Sequence, residues 1–125
     1  MPKLPLALLI LAAATPGLAR DTRQPPEATP AGKPVGCIRL TDIRESRVRN
    51  DQVIDFVGRS GRVYRNTLPQ SCPGLGFERR FSYRTSLSQL CSVDIITVLQ
   101  GPGVQPGASC GLGQFQPVTL AERRR

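Results

Sequence analysis

A chain of 125 residues with 17 basic side chains, 9 acidic ones, four cysteines and no histidine is long enough for one small domain. The missing histidine removes the usual general base, every Ser-His or Cys-His pair and every mixed Cys/His metal set. Fifteen of the seventeen cations are arginine, whose planar fork matches carboxylate and phosphate, while a net charge of +8 speaks first to solubility and non-specific association.

The N-terminus reads as a leader. Lys3 precedes an apolar run from Leu4 to Ala14 that only Pro5 interrupts, and Gly17-Leu18-Ala19 places small residues where a signal peptidase needs them. A signal peptide is therefore expected over 1–19, cut after Ala19. The run is shorter than the roughly 20 apolar residues of a transmembrane helix, so the processed chain is not expected to be an integral membrane protein. Cys37 lies too far from the run to be a lipoprotein cysteine. Processing leaves 16 basic and 9 acidic side chains, a charge of +7.

Residues 20–35, "RDTRQPPEATPAGKPV", hold four prolines, no aromatic and one valine. Such a segment buries too little apolar surface to offset the entropy of ordering, and a disordered, Pro-rich linker is expected there. One β-rich domain should then occupy 36–120, with 121–125, "AERRR", as a basic tail. A domain of this size has a marginal core, and covalent staples are common in it.

Within the domain, "CIRL" alternates Ile38 and Leu40, "IRESRV" is an Arg-rich strand candidate, and Asn50-Asp51 marks a turn. "QVIDFVG" and "RVYRNTL" flank Arg59-Ser60-Gly61 and form a hairpin pattern. A three-residue loop with Gly61 in the left-handed region would oppose Phe56 to Tyr64, Val57 to Val63 and Asp55 to Arg65. A two-residue Ser60-Gly61 turn would oppose Asp55 to Asn66 instead, and the charge pairing favours the first register. "TSLSQL" could form one helical turn capped by Thr85 or Ser86. "SVDIITVLQ" has the β-branched content of a central strand. Val93, Ile95, Thr97 and Leu99 would share one face, and Asp94, Ile96 and Val98 the other. Gly101-Pro102-Gly103 ends it, and "GQFQPVTL" is a last strand that Pro117 assigns to an edge or a bulge. Short strands at this spacing predict a mainly all-β fold with little helix: a small antiparallel sandwich or partly open barrel stapled by two disulfides.

Cys37, Cys72, Cys91 and Cys110 form an even set in an exported chain, which reads as two disulfides. No C-x-x-C pair is present, so neither zinc nor thioredoxin-like chemistry fits, and no metal or other cofactor is expected. The favoured pairing is Cys72–Cys91 with Cys37–Cys110. Closing those loops is worth about 3 and somewhat over ~4 kcal/mol in the chain-entropy picture. "CPGLGF" at 72–77 and "CGLGQF" at 110–115 echo each other. Their glycines could form amide nests for an anion, or could simply be the small neighbours that disulfides in tight turns need.

Together, "CIRLTDIRESRVRNDQVIDF", "GRVYRNTL", "CPGLGF", "LCSVDIITV" and "CGLGQFQPV" resemble a family of small exported Gram-negative proteins classed as a domain of unknown function. The resemblance spans nearly all of 37–118 and all four cysteines. It implies export and a compact cysteine-bearing β domain, with a periplasmic or secreted location, and it implies no activity, ligand or catalytic residue.

For function, the carboxylates Asp42, Asp55, Glu78 and Asp94 are what remains for catalysis. Asp94, an acid inside an apolar strand, is the one whose burial could make it a proton-transfer group. A non-catalytic protein is nevertheless expected. Residues 37–91 hold ten arginines against five acids, and residues 92–120 hold no cation and one acid. Arg79, Arg80 and Arg84 lie beside Phe81 and Tyr83, and arginine interleaved with aromatics suits anionic polymers and flat groups. These five residues are the candidate ligand-binding set. In a cell envelope the matching partners are anionic lipid, lipopolysaccharide or peptidoglycan, while nucleic acid is not expected there. The competing reading is a structural or protein–protein module of the periplasm that docks through strand edges or the Gly-rich 101–113 segment.

Overall fold

The computed structural model describes residues 20–85 and 87–121. The expected leader (1–19), the last four residues of the basic tail and Ser86 as a helix cap lie outside the described residues. Ten strands run in chain order: β1 (Ala28–Pro30), β2 (Cys37–Arg39), β3 (Ile43–Val48), β4 (Val53–Gly58), β5 (Val63–Thr67), β6 (Phe81–Tyr83), β7 (Gln89–Cys91), β8 (Ile95–Gln100), β9 (Gln105–Gly111) and β10 (Phe115–Leu120). A 3-10 turn, Leu40–Asp42, follows β2, and a single helical turn, α1 (Leu75–Glu78), precedes β6. The strands form three antiparallel sheets, β1-β10-β5-β4-β3, β6-β8-β9 and β2-β7, which do not close into a barrel. The expected fold class, β-rich with little helix and two disulfides, is the observed one.

The hairpin of β4 and β5 adopts the register that charge pairing favoured. Phe56 opposes Tyr64, Val57 opposes Val63 and Asp55 opposes Arg65, and Gly61 takes a φ of 83° in the turn, where a side chain would be strained. On one face Ile54 and Phe56 enter the core with Ile38, Leu68, Leu75, Leu90, Ile96, Val98 and Phe115. Phe56 meets Phe115 and Phe81 edge-on, with ring centres 5.5 and 6.3 Å apart. Each such side chain contributes about 1.5–3 kcal/mol by leaving water. On the other face Asp55 is wholly buried. Its Oδ1 accepts from Arg65 Nε at 2.8 Å, and its Oδ2 accepts from Arg49 Nε at 2.8 Å.

β8 is the central strand of its sheet, as its composition predicted. Ile96 and Val98 face the core, while Ile95 and, beyond the strand, Val93 face outward. Gln100 is its last residue, just before Gly101-Pro102-Gly103.

Four expectations need correction. The disulfides are Cys37–Cys91 and Cys72–Cys110, with sequence separations of 54 and 38. Proximity along the chain favoured Cys72–Cys91, but the β2–β7 register sets Cys37 directly opposite Cys91. Cys72, ahead of α1, is left to meet Cys110 on β9. Second, residues 20–35 are not a free linker. Ala28–Pro30 pairs with Val118–Leu120, and Val35 bridges Phe115. Proline's fixed φ suits extended backbone, so this arm makes a strand without a hydrophobic core of its own. Third, Gln89 and Leu90, at the end of the possible helical turn "TSLSQL", lie on strand β7 instead, because pairing with β2 overrides a weak local preference. Fourth, β10 is not an edge, since the arm covers it. Main-chain groups of Phe115 and Pro117 point to the arm side, where Val35 and Ala31 donate to their carbonyls. The N–H that Pro117 lacks therefore falls between the Val35 bridge and β1, and no bond to β5 is lost.

Candidate functional site

Asn50-Asp51, legible in the sequence only as a turn, is the junction on which the site is built. Asn50 Oδ1 accepts from the amides of Gln52 and Val53 and closes the turn into β4, while its Nδ2 donates to the Arg23 carbonyl at 2.8 Å. The buried Asp51 accepts from the Gly76 amide on Oδ1 (2.8 Å) and from the Asp21 amide on Oδ2 (2.9 Å). One carboxylate thus fastens the arm and α1 to the same point. A Cβ on residue 76 would run into the Asp21 side chain, so glycine is needed there for close approach.

α1 is a single turn between two left-handed residues, Gly74 (φ 83°) and Arg79 (φ 56°). This sharp reversal leaves Phe77 86% exposed. Arg20, Arg23 and Arg79 line the depression beside it, together with Asp21 and Gly76. Arg23 is committed to Asp21, donating from Nη2 to Oδ2 at 2.7 Å and from Nε to Oδ1 at 3.0 Å. Those bonds hold the Asp21 carboxyl below its ordinary range against an opposing effect of burial, with the charge of Arg79 acting in the same direction as Arg23. Among the described residues, Arg20 and Arg79 form no ion pair. The result is an exposed phenyl ring beside two uncommitted guanidinium groups.

The five residues expected to form one ligand site are divided. Arg79 belongs to the Phe77 tip. Arg80 is tied down, donating to the Gly103 carbonyl at 3.2 Å and standing 3.7 Å from Glu78. Phe81 packs on Phe56. Tyr83, tilted against Phe81 with ring centres 6.3 Å apart, and Arg84 line a separate depression with Asp94 and Ile95. Phe77 stands beside these arginines in the sequence but outside the expected set, and Arg20 and Arg23 fall in the expected linker. The signal available for Phe77 was an aromatic between glycine and acid in a turn, where nothing can cover it.

The two glycine echoes are occupied from within. The Gly76 amide is held by Asp51, and the Gly113 amide donates to Asn66 Oδ1 at 2.8 Å while Asn66 returns a bond to the Gly113 carbonyl at 2.7 Å. Neither amide is free for an external anion. Asp94 lies just before β8 and accepts from the Cys91 amide at 2.7 Å, which closes the turn out of β7. Among the described residues no group of three or more Cys, Asp or Glu could hold a metal ion, and no helix is long and apolar enough to cross a membrane. No protein family, characterised protein or solved structure matches the chain.

Proposed function

We propose that this protein is an exported, non-catalytic module that docks on an anionic lipid surface of the cell envelope through Phe77 and the arginines around it. Two disulfides in so small a chain are the mark of an oxidising, extracytoplasmic compartment, and the leader-like N-terminus supports delivery to the periplasm or beyond. The observation that carries the reading is the exposed phenyl ring of Phe77 next to Arg20 and Arg79. Interfacial binding combines apolar burial with attraction to anionic headgroups, and this tip offers both within one depression. With the leader removed after Ala19, the new α-ammonium sits on Arg20 and adds a third cation. Phosphate is the shared ligand chemistry, carried by phospholipid or by lipid A, and Arg forks suit it.

Vesicle co-sedimentation tests this. Binding to anionic vesicles is expected at low salt, with loss as salt screens the arginines and no binding to neutral vesicles. Arg79→Ala should weaken binding about fivefold, in line with ~1 kcal/mol per cation near a charged surface, and Phe77→Ser should weaken it further. Lipid A and phospholipid vesicles run in parallel separate the two sources, and peptidoglycan fragments provide a non-lipid arm. Absence of binding at low salt, or full binding by Phe77→Ser, overturns the reading.

A protein–protein role draws on a different observation. Val93, Ile95 and Val104 are exposed around the outer face of the β6-β8-β9 sheet, in the stretch 92–120 that holds no cation. A salt-insensitive partner recovered by envelope crosslinking at this face would favour it.

A further inference from the structure

A second concavity lies apart from the residues of the Phe77 tip. It is bounded by β2, by the 3-10 turn Leu40–Asp42 and by the end of the β3-β4-β5 sheet where Ile43 opposes Gly58. Its volume is about 200 Å³, and a cavity of about 150 Å³ already accepts a benzene ring. Ile38, Ile43, Phe56 and Tyr64 give it apolar walls, and Arg39 and Asp42 also line it as exposed, charged residues. At Asp42, Gly58 and Tyr64 it continues into a second depression that carries Arg59 and Arg62.

These walls are held by bonds that do not involve a ligand. The Cys37–Cys91 disulfide and the Leu40 amide, which donates to the Ser88 carbonyl at 2.9 Å, fix β2 and the turn after it. The Arg59 amide donates to the Asp42 carbonyl at 3.0 Å and fixes the hairpin tip against that turn. A cleft set in advance loses little ordering entropy when it is filled.

The charges select the occupant. Among the described residues, Arg39, Asp42 and Arg59 form no ion pair, and Arg62 makes only a 3.3 Å bond to the Tyr64 hydroxyl. A notch for a purely apolar molecule needs no such groups, and a notch for a simple acid has no use for Asp42 among three guanidiniums. A molecule with an apolar group, a carboxylate and an ammonium uses all of them. We propose that this cleft binds a free α-amino acid with a leucine- to phenylalanine-sized side chain. The side chain packs against Ile43 and Tyr64 over the buried Phe56, the carboxylate meets Arg39 with Arg59 or Arg62 beyond it, and the ammonium meets Asp42.

The test is titration of the disulfide-bonded protein with L-phenylalanine and L-leucine, followed by amide shifts and calorimetry. Three comparators each lack one element: 3-phenylpropionate the ammonium, phenethylamine the carboxylate and glycine the side chain. Saturable shifts at Ile38, Phe56 and Tyr64 are expected with both amino acids. Phenylpropionate and phenethylamine should each bind at least about tenfold more weakly, the scale of one lost charged hydrogen bond, and glycine at least about tenfold more weakly for want of apolar burial. Arg39→Gln and Asp42→Asn should each cost a similar factor without changing thermal unfolding, because both side chains are exposed. No saturable binding of either amino acid overturns the proposal. Equal binding of phenylpropionate, or unchanged affinity in Asp42→Asn, overturns the assignment of the ammonium and with it the ligand class.

Discussion

Two clusters of arginine in this small domain do opposite things. Arg49 and Arg65, with 19% and 15% of their side chains exposed, close on the wholly buried carboxylate of Asp55 and are spent on the fold. Arg20 and Arg79 stand beside Phe77 and, among the described residues, form no ion pair, which leaves them to something outside. The sequence marks Arg65 as a partner of Asp55, while Arg49, Arg20 and Arg79 carry no such local sign. What separates them is register: a cross-strand or diagonal acid converts an arginine into structure, whereas the acids near the Phe77 tip, Asp21 and Glu78, are taken by Arg23 and Arg80.

The sharpest way to test that contrast is to remove the acid. Asp55→Ala leaves two partly desolvated guanidiniums without a counter-charge and should cost about 3–5 kcal/mol in urea unfolding. Arg79→Ala and Phe77→Ser should change stability by no more than about 0.5 kcal/mol, as exposed positions do. A comparable loss at both clusters would erase the distinction. Next in size, Cys72→Ser with Cys110→Ser should cost about 2–4 kcal/mol, read by thermal unfolding, while the Asp55 pair geometry persists in the spectra.

Asp51→Ala should cost about 2 kcal/mol, because it strands the Gly76 and Asp21 amides that its carboxylate satisfies. Hydrogen exchange should then speed up at residues 21 and 76 while β4 and β5 stay protected. The smallest effect is a pH dependence. The carboxyl of Asp21 is lowered from 3.8 chiefly by its hydrogen bonds from Arg23. Its contribution to arm docking is therefore fully present above 3.8 and is lost as pH falls through the lower folded value. Protection of the Asp51 amide, which donates to the Asp21 carbonyl, should drop in that acidic window in the native chain, and the drop should shrink in Arg23→Leu.

The β4–β5 hairpin was legible because three independent signals agreed on one register: β-branched alternation, a glycine in the loop, and an acid opposite an arginine. The disulfide pairing was not legible, because cysteine spacing carries loop length but not which strands pair. Four prolines hid β1, since the ladder needs only three extended residues there and the hydrophobic content that signals a strand is supplied by β10. Of the residues grouped by charge clustering, Arg79 lies beside Phe77, while Arg80 and Phe81 are held by contacts of their own. Their partners, the Gly103 carbonyl and Phe56, are far away in the chain and invisible to local composition. Asp51 was missed for the same reason: its two amide donors come from thirty residues upstream and twenty-five downstream.

The pairing of β1 with β10 joins the two ends of the described chain. A polypeptide leaves the ribosome, or a translocation channel, N-terminus first, so Ala28–Pro30 must wait for Val118–Leu120 before it has anything to hold. Until then the open side of β5 offers its backbone to any passing strand, and closure across so long a span is slow. A product truncated just short of residue 115 would lose Phe115 from the core together with the last strand and the anchorage of the first, which makes β10 the closing piece of this fold.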